Sequence, residues 1–479
     1  MSLVKSTVRG VKWSGISQFG RQGLSFVTTA ILARLLLPSD YGLVGMAFVV
    51  TGFASIFSDL GTSAALIQKK EISNELLSTV FWANVLFGLL TMLVVLAISP
   101  LAALFYHEPR VTRILQCLSI SFLLGGLTTV PYTILERNMS FDTIARIELV
   151  SSGISSIIGI VSAIRGLGVW SLVFQSITNI SLLMGMYWYQ SKWRPAFIFS
   201  FRELKSIHSY SSNLVGFSII NYFIRNADYM LIGRYLGAQD LGYYTLAYRL
   251  MLYPLQNVTG VLRRVLFPAF SRLQDDEERF RNSYLRVNAA IAIVTLPMMF
   301  GLWAVAGHFV LYVFGQKWQP VITLLLILVP VGMVQSISST VGFIYQAKGR
   351  TDWMFRWGIV AGVVTISAFL IGIHWGIVGV ATAYSIATWI LIYPLFYFPF
   401  KLINLDFSDL LRAVSNPFWC SLTMFLCIIV IKALFPVNFP HGIALLILIP
   451  AGVIVYLVSS WFINRKEFLQ LYKLVLNRQ

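Results

Sequence analysis

Five ionisable residues stand out inside apolar runs that have no other use for charge: Arg21, Asp59, Arg225, Asp228 and Arg249. An ionised side chain at the centre of a membrane helix costs about 3 kcal/mol on insertion scales, so each needs a partner, water or a ligand. Arg225 and Asp228 are three residues apart and share a helix face. Folding the chain back near residues 238–239 sets Asp228 level with Arg249. A fold near 38–39 brings Arg21 within roughly 5 Å of the depth of Asp59. Internal pairing, Arg249 with Asp228 and Arg21 with Asp59, is one use for these charges. It leaves Arg225 over, because three arginines face two aspartates. A positive interior suits an anion, and a guanidinium grips a phosphate or diphosphate through two parallel N–H donors. Arg21, Arg225 and Arg249 are therefore candidate diphosphate ligands, with Asp59 and Asp228 as pairing or ion-coupling groups. Neutral polar residues share the apolar runs, among them Gln18, Asn84, Asn179, Asn221, Tyr222 and Asn257. They can meet sugar hydroxyls or bond one helix to another.

The elements that hold these residues follow from composition. Of 479 residues, 57% are hydrophobic and 11% charged, where soluble proteins carry roughly 25% charged. That excludes a soluble enzyme, a disordered chain and a secreted disulfide scaffold. Runs long enough to span a bilayer occupy 11–36, 41–66, 76–99, 111–135, 143–165, 168–189, 207–235, 241–267, 287–314, 320–346, 353–373, 376–398, 410–434 and 441–463. They must be helices, since barrel strands would be about ten residues long and open strands leave their backbone unsatisfied in lipid. The fold class expected is an all-α polytopic membrane protein of about 14 transmembrane helices. The first run is not a cleavable signal, because it is too long and holds Arg21 in its middle. A net charge of +17 would suggest nucleic acid in a soluble protein. Here the charges punctuate apolar runs, so membrane lipid is the partner expected and nucleic acid is not. Cys117, Cys420 and Cys427 lie within the runs. The last two are about 10 Å apart along one helix, too far to bridge. No disulfide, metal or cofactor is expected.

Lysine and arginine set the orientation. With the N-terminus cytoplasmic, 26 of the 36 fall in inside segments and 7 in outside ones, so both ends are expected in the cytoplasm. The longest connection, Leu266–Arg286, is about twenty residues, which leaves no room for a soluble domain. Outside loops hold almost no acid or base beyond His107, Glu108, Asp40 and Asp240. His107 beside Glu108 is either an acid/base pair or a polar loop tip. One internal repeat is legible at an offset of 200: Arg34, Leu36, Asp40 and Gly42 align with Arg234, Leu236, Asp240 and Gly242, and Ala47 with Ala247. Both copies join an odd run to an even one on the same side, so the halves are parallel repeats with the substrate between them, a transporter arrangement. The expected domains are two parallel six-helix bundles, 1–200 and 201–402, followed by 403–479 with two additional helices and a cytoplasmic tail.

The chain resembles the polysaccharide transporter branch of the multidrug/oligosaccharidyl-lipid/polysaccharide exporter superfamily, most closely its colanic-acid-exporter type. The resemblance runs over nearly the whole length and is weakest after about residue 400. It is carried by Gly10-Val11-Lys12-Trp13-Ser14, by the segment from Ala65 to Ser73, by Arg264-Val265-Leu266-Phe267-Pro268 and its continuation to Asp276, and by Val313-Phe314-Gly315-Gln316-Lys317-Trp318. The stretch Ala247-Tyr248-Arg249-Leu250 to Pro254 also resembles the eighth span of lipid II flippases, which implies a cavity role for Arg249; Arg21 is similarly placed in the first span. The implied function is a flippase for undecaprenyl-diphosphate-linked oligosaccharides in the bacterial inner membrane. The last two spans would offer the lipid tail an apolar groove, and a polysaccharide polymerase and chain-length regulator would be partners. A proton or sodium gradient, or the membrane potential, is the energy source left open, since no Walker motif is present. A multidrug exporter of the same superfamily would favour an acidic interior, and a glycan polymerase or ligase a large external domain. A scaffold within a glycan-synthesis complex would have no use for interior arginines. The orientation predicts that reporters fused after Gly237 and Lys317 read outside, while those after Lys205, Gln274 and Gln479 read inside. An outside signal at Gln274 contradicts both the span count and the repeat.

Overall fold

The computed structural model describes residues 3–57, 66, 67, 69, 72–202, 212–273 and 276–463. In lipid a backbone amide finds no water, so each crossing segment closes its hydrogen bonds within a helix. Fourteen helices of eighteen residues or more result among the described residues. They are α1 (Leu3–Leu35), α2 (Pro38–Ser55), α3 (Asn74–Tyr106), α4 (Arg110–Arg137), α5 (Phe141–Ile164), α6 (Trp170–Ser191), α7 (Ser212–Tyr235), α8 (Gly237–Arg272), α9 (Glu277–Val313), α10 (Pro320–Ser338), α12 (Thr351–Gly372), α13 (Gly376–Lys401), α14 (Phe407–Ala433) and α15 (His441–Ile463), with a short α11 (Val341–Ala347) continuing α10. No strand occurs among the described residues. Among the described residues eight segments are both long and apolar enough to cross a membrane, one of them the 51-residue pair α12–α13. The protein is a multi-pass, all-α membrane protein.

Helix ends carry local reasons. The Ser73 hydroxyl accepts the Leu76 N–H at 3.1 Å to start α3, and Asp276 accepts from Arg279 at 3.0 Å to start α9, the usual service of an N-cap. Pro38 opens α2, where its missing N–H is no loss. Asp40 reaches back to the Leu37 N–H at 2.9 Å. Prolines inside α3, α4, α9, α10 and α13 would break an isolated helix, but neighbouring membrane helices re-satisfy the freed carbonyls.

The chain divides into two compact units, 1–242 and 243–479. In the first, α3 packs on α4, α5 on α6 and on α1, and α7 on α2 and α3. The boundary falls one helix later than the repeat would divide it. One end of this unit gathers the α1–α2 turn, Tyr106, Gly168 and Gly233, with Gly233 against the Tyr106 ring and Gly168 against Asp40. The opposite end gathers Leu66, Lys69 and Arg137: the Arg137 guanidinium donates to the Leu66 and Lys69 carbonyls at 3.0 and 2.6 Å. The strand-like connection after α6 is tied down there as well, Ala196 N–H donating to Ser78 and Ser200 N–H to Thr79.

In the second unit α9 is the spine, packed by α10, α14 and α15. The two C-terminal helices are thus part of that unit's core, with Cys420, Met424, Leu448 and Tyr456 buried beside Phe280, Tyr284 and Phe300. The Tyr456 hydroxyl donates to the Ile293 carbonyl at 2.7 Å. The break between α10 and α11 is served by buried Thr340, whose hydroxyl lies 3.1 Å from Asn288 Oδ1 and 3.2 Å from the Tyr284 hydroxyl.

The sequence repeat is also a contact. A Cβ on Gly42 would fall on the Ala238 carbonyl, and one on Gly242 on the Pro38 carbonyl. Positions 38 and 42 of the first copy therefore meet 238 and 242 of the second reciprocally. Glycine is required at both places because backbone touches backbone. The α3–α4 crossing has the same character: Gly126 lies on the Asn84 carbonyl and Gly88 on that of Phe122, whereas a Cβ on Gly125 would meet nothing within 4 Å. Gly126→Ala is therefore expected to lower the melting temperature of the detergent-purified protein, the overpacking costing about 1–3 kcal/mol, while Gly125→Ala leaves it unchanged. Equal melting temperatures for the two variants would refute the close crossing.

Candidate functional site

Helix α7 carries the central charges. Arg225 is exposed and lies ten residues before the end of the helix at Tyr235, about 15 Å along the axis and so near mid-membrane. Among the described residues no ion pair holds it. Asp228, one turn on, is 4% exposed and accepts the Tyr229 N–H at 2.8 Å. Arg249 is exposed on α8 and belongs to the second unit, whereas Asp228 belongs to the first.

Arg21 is engaged. Its Nη1 lies 3.3 Å from Glu148 Oε2 on α5, with the two side chains 41% and 21% exposed. The sequence reading omitted Glu148, because it sits close to the start of its apolar run. Depth arithmetic would have found it. Arg21 lies about 22 Å before the α1–α2 turn, and Glu148 about 24 Å before the end of α5, and Gly168 against Asp40 puts both ends on one face. Asp59, the partner expected for Arg21, lies outside the described residues, as does the side chain of Asn257.

The neutral candidates separate. Asn84 is fully buried in the α3–α4 crossing, where no sugar reaches it; its polarity serves packing. The Tyr222 hydroxyl donates to the Val49 carbonyl of α2 at 2.7 Å, so the tyrosine bonds helix to helix. Gln18, Asn179 and Asn221 are half-buried and keep a surface a ligand can meet. His107 and Glu108 do not form an acid/base pair. Glu108 takes a bidentate bond from Arg110, at 2.8 and 2.9 Å, and those hydrogen bonds hold its carboxyl below the usual carboxylate range. His107 ends α3 in a left-handed conformation, φ 53°, and its ring meets Arg234. No cluster of three or more His, Cys, Asp or Glu side chains suited to a metal occurs among the described residues.

The fold is that of an all-α, multi-pass membrane bundle, and comparison with known proteins places it further. Residues 31–323 match the family described as "Polysaccharide biosynthesis protein"; the chain belongs to that family. It is 29% identical over 440 residues to teichuronic acid biosynthesis protein TuaB of Bacillus subtilis (strain 168), covering 88% of each chain. It is 31% identical over 373 residues to succinoglycan biosynthesis transport protein ExoT of Rhizobium meliloti (strain 1021), covering 77% of this chain and 74% of ExoT. Among solved structures, the lipid II flippase MurJ in an inward closed conformation superposes with a TM-score of 0.72 at 18% identity, covering 95% of this chain and 99% of MurJ. That likeness is one of fold.

The Arg21–Glu148 bond generates a test. Glu148→Gln strands a guanidinium, so it is expected to lower the melting temperature more than the double variant Arg21→Gln with Glu148→Gln. The coupling should be on the order of 1 kcal/mol, since both groups are partly exposed. Additive effects in a double-mutant cycle would dismiss the pair.

Proposed function

We propose that this protein is a flippase carrying undecaprenyl-diphosphate-linked oligosaccharide repeat units from the cytoplasmic to the periplasmic leaflet of the bacterial inner membrane, for surface polysaccharide assembly. It is a transporter and not an enzyme. The single observation that carries the proposal is Arg225: a cation near mid-membrane, exposed, and without an ion pair among the described residues. A bare guanidinium at that depth is tolerated when it faces water or an anionic ligand. The two negative phosphates of a polyprenyl diphosphate supply the charge it lacks. Arg249 joins it, and Arg21 contributes from its bond to Glu148. Gln18, Asn179 and Asn221 meet the sugars. Asp59 and Asp228 are the groups available for coupling to an ion gradient.

The substrate would move by alternating access between two parallel six-helix bundles, 1–200 and 201–402, with the headgroup crossing and the tail remaining in lipid. Both chain ends are cytoplasmic in this reading. The end of the first unit holding Lys69 and Arg137 is then the inner one, in keeping with the positive-inside rule. The Gly42–Ala238 and Gly242–Pro38 contacts lie at the periplasmic end. A polymerase and a chain-length regulator would receive the exported unit. A drug-exporter reading fits less well, since cationic drugs call for acidic interiors and the exposed mid-membrane charge here is basic.

Arg225→Ala is expected to leave the protein inserted and folded, because it removes an unpaired membrane charge. Export should fall roughly ten- to hundredfold, the equivalent of one charge-assisted contact. Arg225→Lys should retain part of the activity, keeping the charge and losing the bidentate fork. Surface glycan in a complemented deletion strain, normalised to membrane protein, is the measurement. Wild-type glycan from Arg225→Ala would place the diphosphate elsewhere.

A further inference from the structure

The first unit carries an open groove of about 760 Å³ between α2, α3 and α7, a volume in the range of ligand sites. Its walls are apolar: Phe53 from α2 and Phe57 from the turn after it, Phe87 and Phe105 from α3, Phe223 and Met230 from α7. Among the described residues that line it none is charged, and Thr91 and Tyr106 alone bring a hydroxyl. Along α3 the lining runs from Phe87 to Phe105, eighteen residues or about 27 Å of helix. That is close to the roughly 30 Å thickness of bilayer hydrocarbon. The groove is therefore an upright slot, shaped for an extended chain rather than a compact solute.

Helix α7 separates this slot from the arginine. Tyr222 faces α2, its hydroxyl on the Val49 carbonyl at 2.7 Å. Gly52 makes the room: a Cβ there would lie 2.5 Å from that hydroxyl. Phe223 and Met230 lie about 20° apart around the helix and face the slot, while Arg225 lies roughly 140–160° away from them. The α2–α7 seam thus has hydrocarbon-lined space on one side and an exposed cation on the other. Those features complement the two halves of an anionic amphiphile, its hydrocarbon tail and its anionic head.

We propose that the slot between α2, α3 and α7 seats the polyprenyl tail of the lipid-linked substrate while its diphosphate meets Arg225 across the seam. The proposal rests on the flippase reading and deepens it by placing the tail. The resemblance to lipid II flippases pointed instead to the last two helices, here α14 and α15, which pack their faces on α9. A phospholipid acyl chain has the same hydrocarbon character, but its headgroup brings no diphosphate for Arg225, so charge complementarity selects the substrate's own tail. The rings of Phe53, Phe57 and Phe223 stand together, with Phe53 5.4 Å from Phe57 and 5.0 Å from Phe223 between centroids. They present flat faces to a methyl-branched chain.

The test uses the full chain in proteoliposomes with two photoreactive probes: a polyprenyl-diphosphate oligosaccharide bearing a diazirine in its tail, and phosphatidylethanolamine bearing one in an acyl chain. The tail probe should label the α3 peptide from Phe87 to Phe105, and unlabelled polyprenyl diphosphate should compete it away, while labelling by the phospholipid probe should resist that competitor. Label confined to α14 and α15, or α3 label competed equally by bulk phospholipid, overturns the proposal. Leu90 and Val94 line the slot, whereas Leu93, on the same helix and as exposed, does not. Leu90→Trp and Val94→Trp should each lower tail labelling and headgroup flipping about tenfold, as added bulk in an apolar site does. Leu93→Trp should match wild type. If wild type and Leu90→Trp flip the headgroup equally, the slot is refuted and the flippase reading stands. If wild type flips no headgroup, the flippase reading falls and the slot with it.

Discussion

A polar group in hydrocarbon has no water to fall back on, and that single constraint organises this molecule. It makes the crossing segments helices. It also decides where irregular backbone is allowed. The break between α10 and α11 occurs only where Asn288, Tyr284 and Thr340 are buried together to serve it. The extended connection after α6 runs at the end of the first unit, where Ser78 and Thr79 receive its N–H groups. The same constraint acts on charge. Arg21 is held by Glu148 and Asp228 is buried, while Arg225 is exposed.

Close packing without a hydrophobic driving force is the second theme, because lipid tails are as apolar as leucine. Glycine supplies it. At the α3–α4 crossing, Gly88 and Gly126 bring one helix onto the carbonyls of the other. At the start of α2 and α8 the reciprocal pairs Gly42–Ala238 and Gly242–Pro38 do the same. Contacts of this second kind are made by backbone and Cα–H groups, each worth little. They interlock few side chains.

The polarity of α7 links the two proposals. One helix offers an apolar wall at Phe223 and Met230, a hydrogen-bonded seam at Tyr222 and a cation at Arg225. A lipid-linked sugar asks for those three things: a place for the chain, a boundary, and a counter-charge for the diphosphate. The arrangement needs no bond chemistry, and family membership in polysaccharide biosynthesis is consistent with movement rather than synthesis.

Much of this was legible in the residues alone. Long apolar runs with charges between them specify membrane helices, because the cost of exposing a peptide group to lipid depends on composition and length and not on neighbours. The offset of 200 between Arg34–Gly42 and Arg234–Gly242 was readable for the same reason, being a property of the string. Partnership was not readable. The Arg21–Glu148 bond was not foreseen, and the sequence left Asn84 and Tyr222 open between sugar contact and helix–helix bonding, where one is buried in a crossing and the other bonds to Val49. A polar side chain among apolar ones looks the same in the sequence whether it faces a ligand, a charge or a neighbouring carbonyl. The rotation of each helix about its axis, and which helix stands beside it, separates those cases. Contacts between residues such as 21 and 148, or 49 and 222, set that rotation, and only the folded chain brings them together.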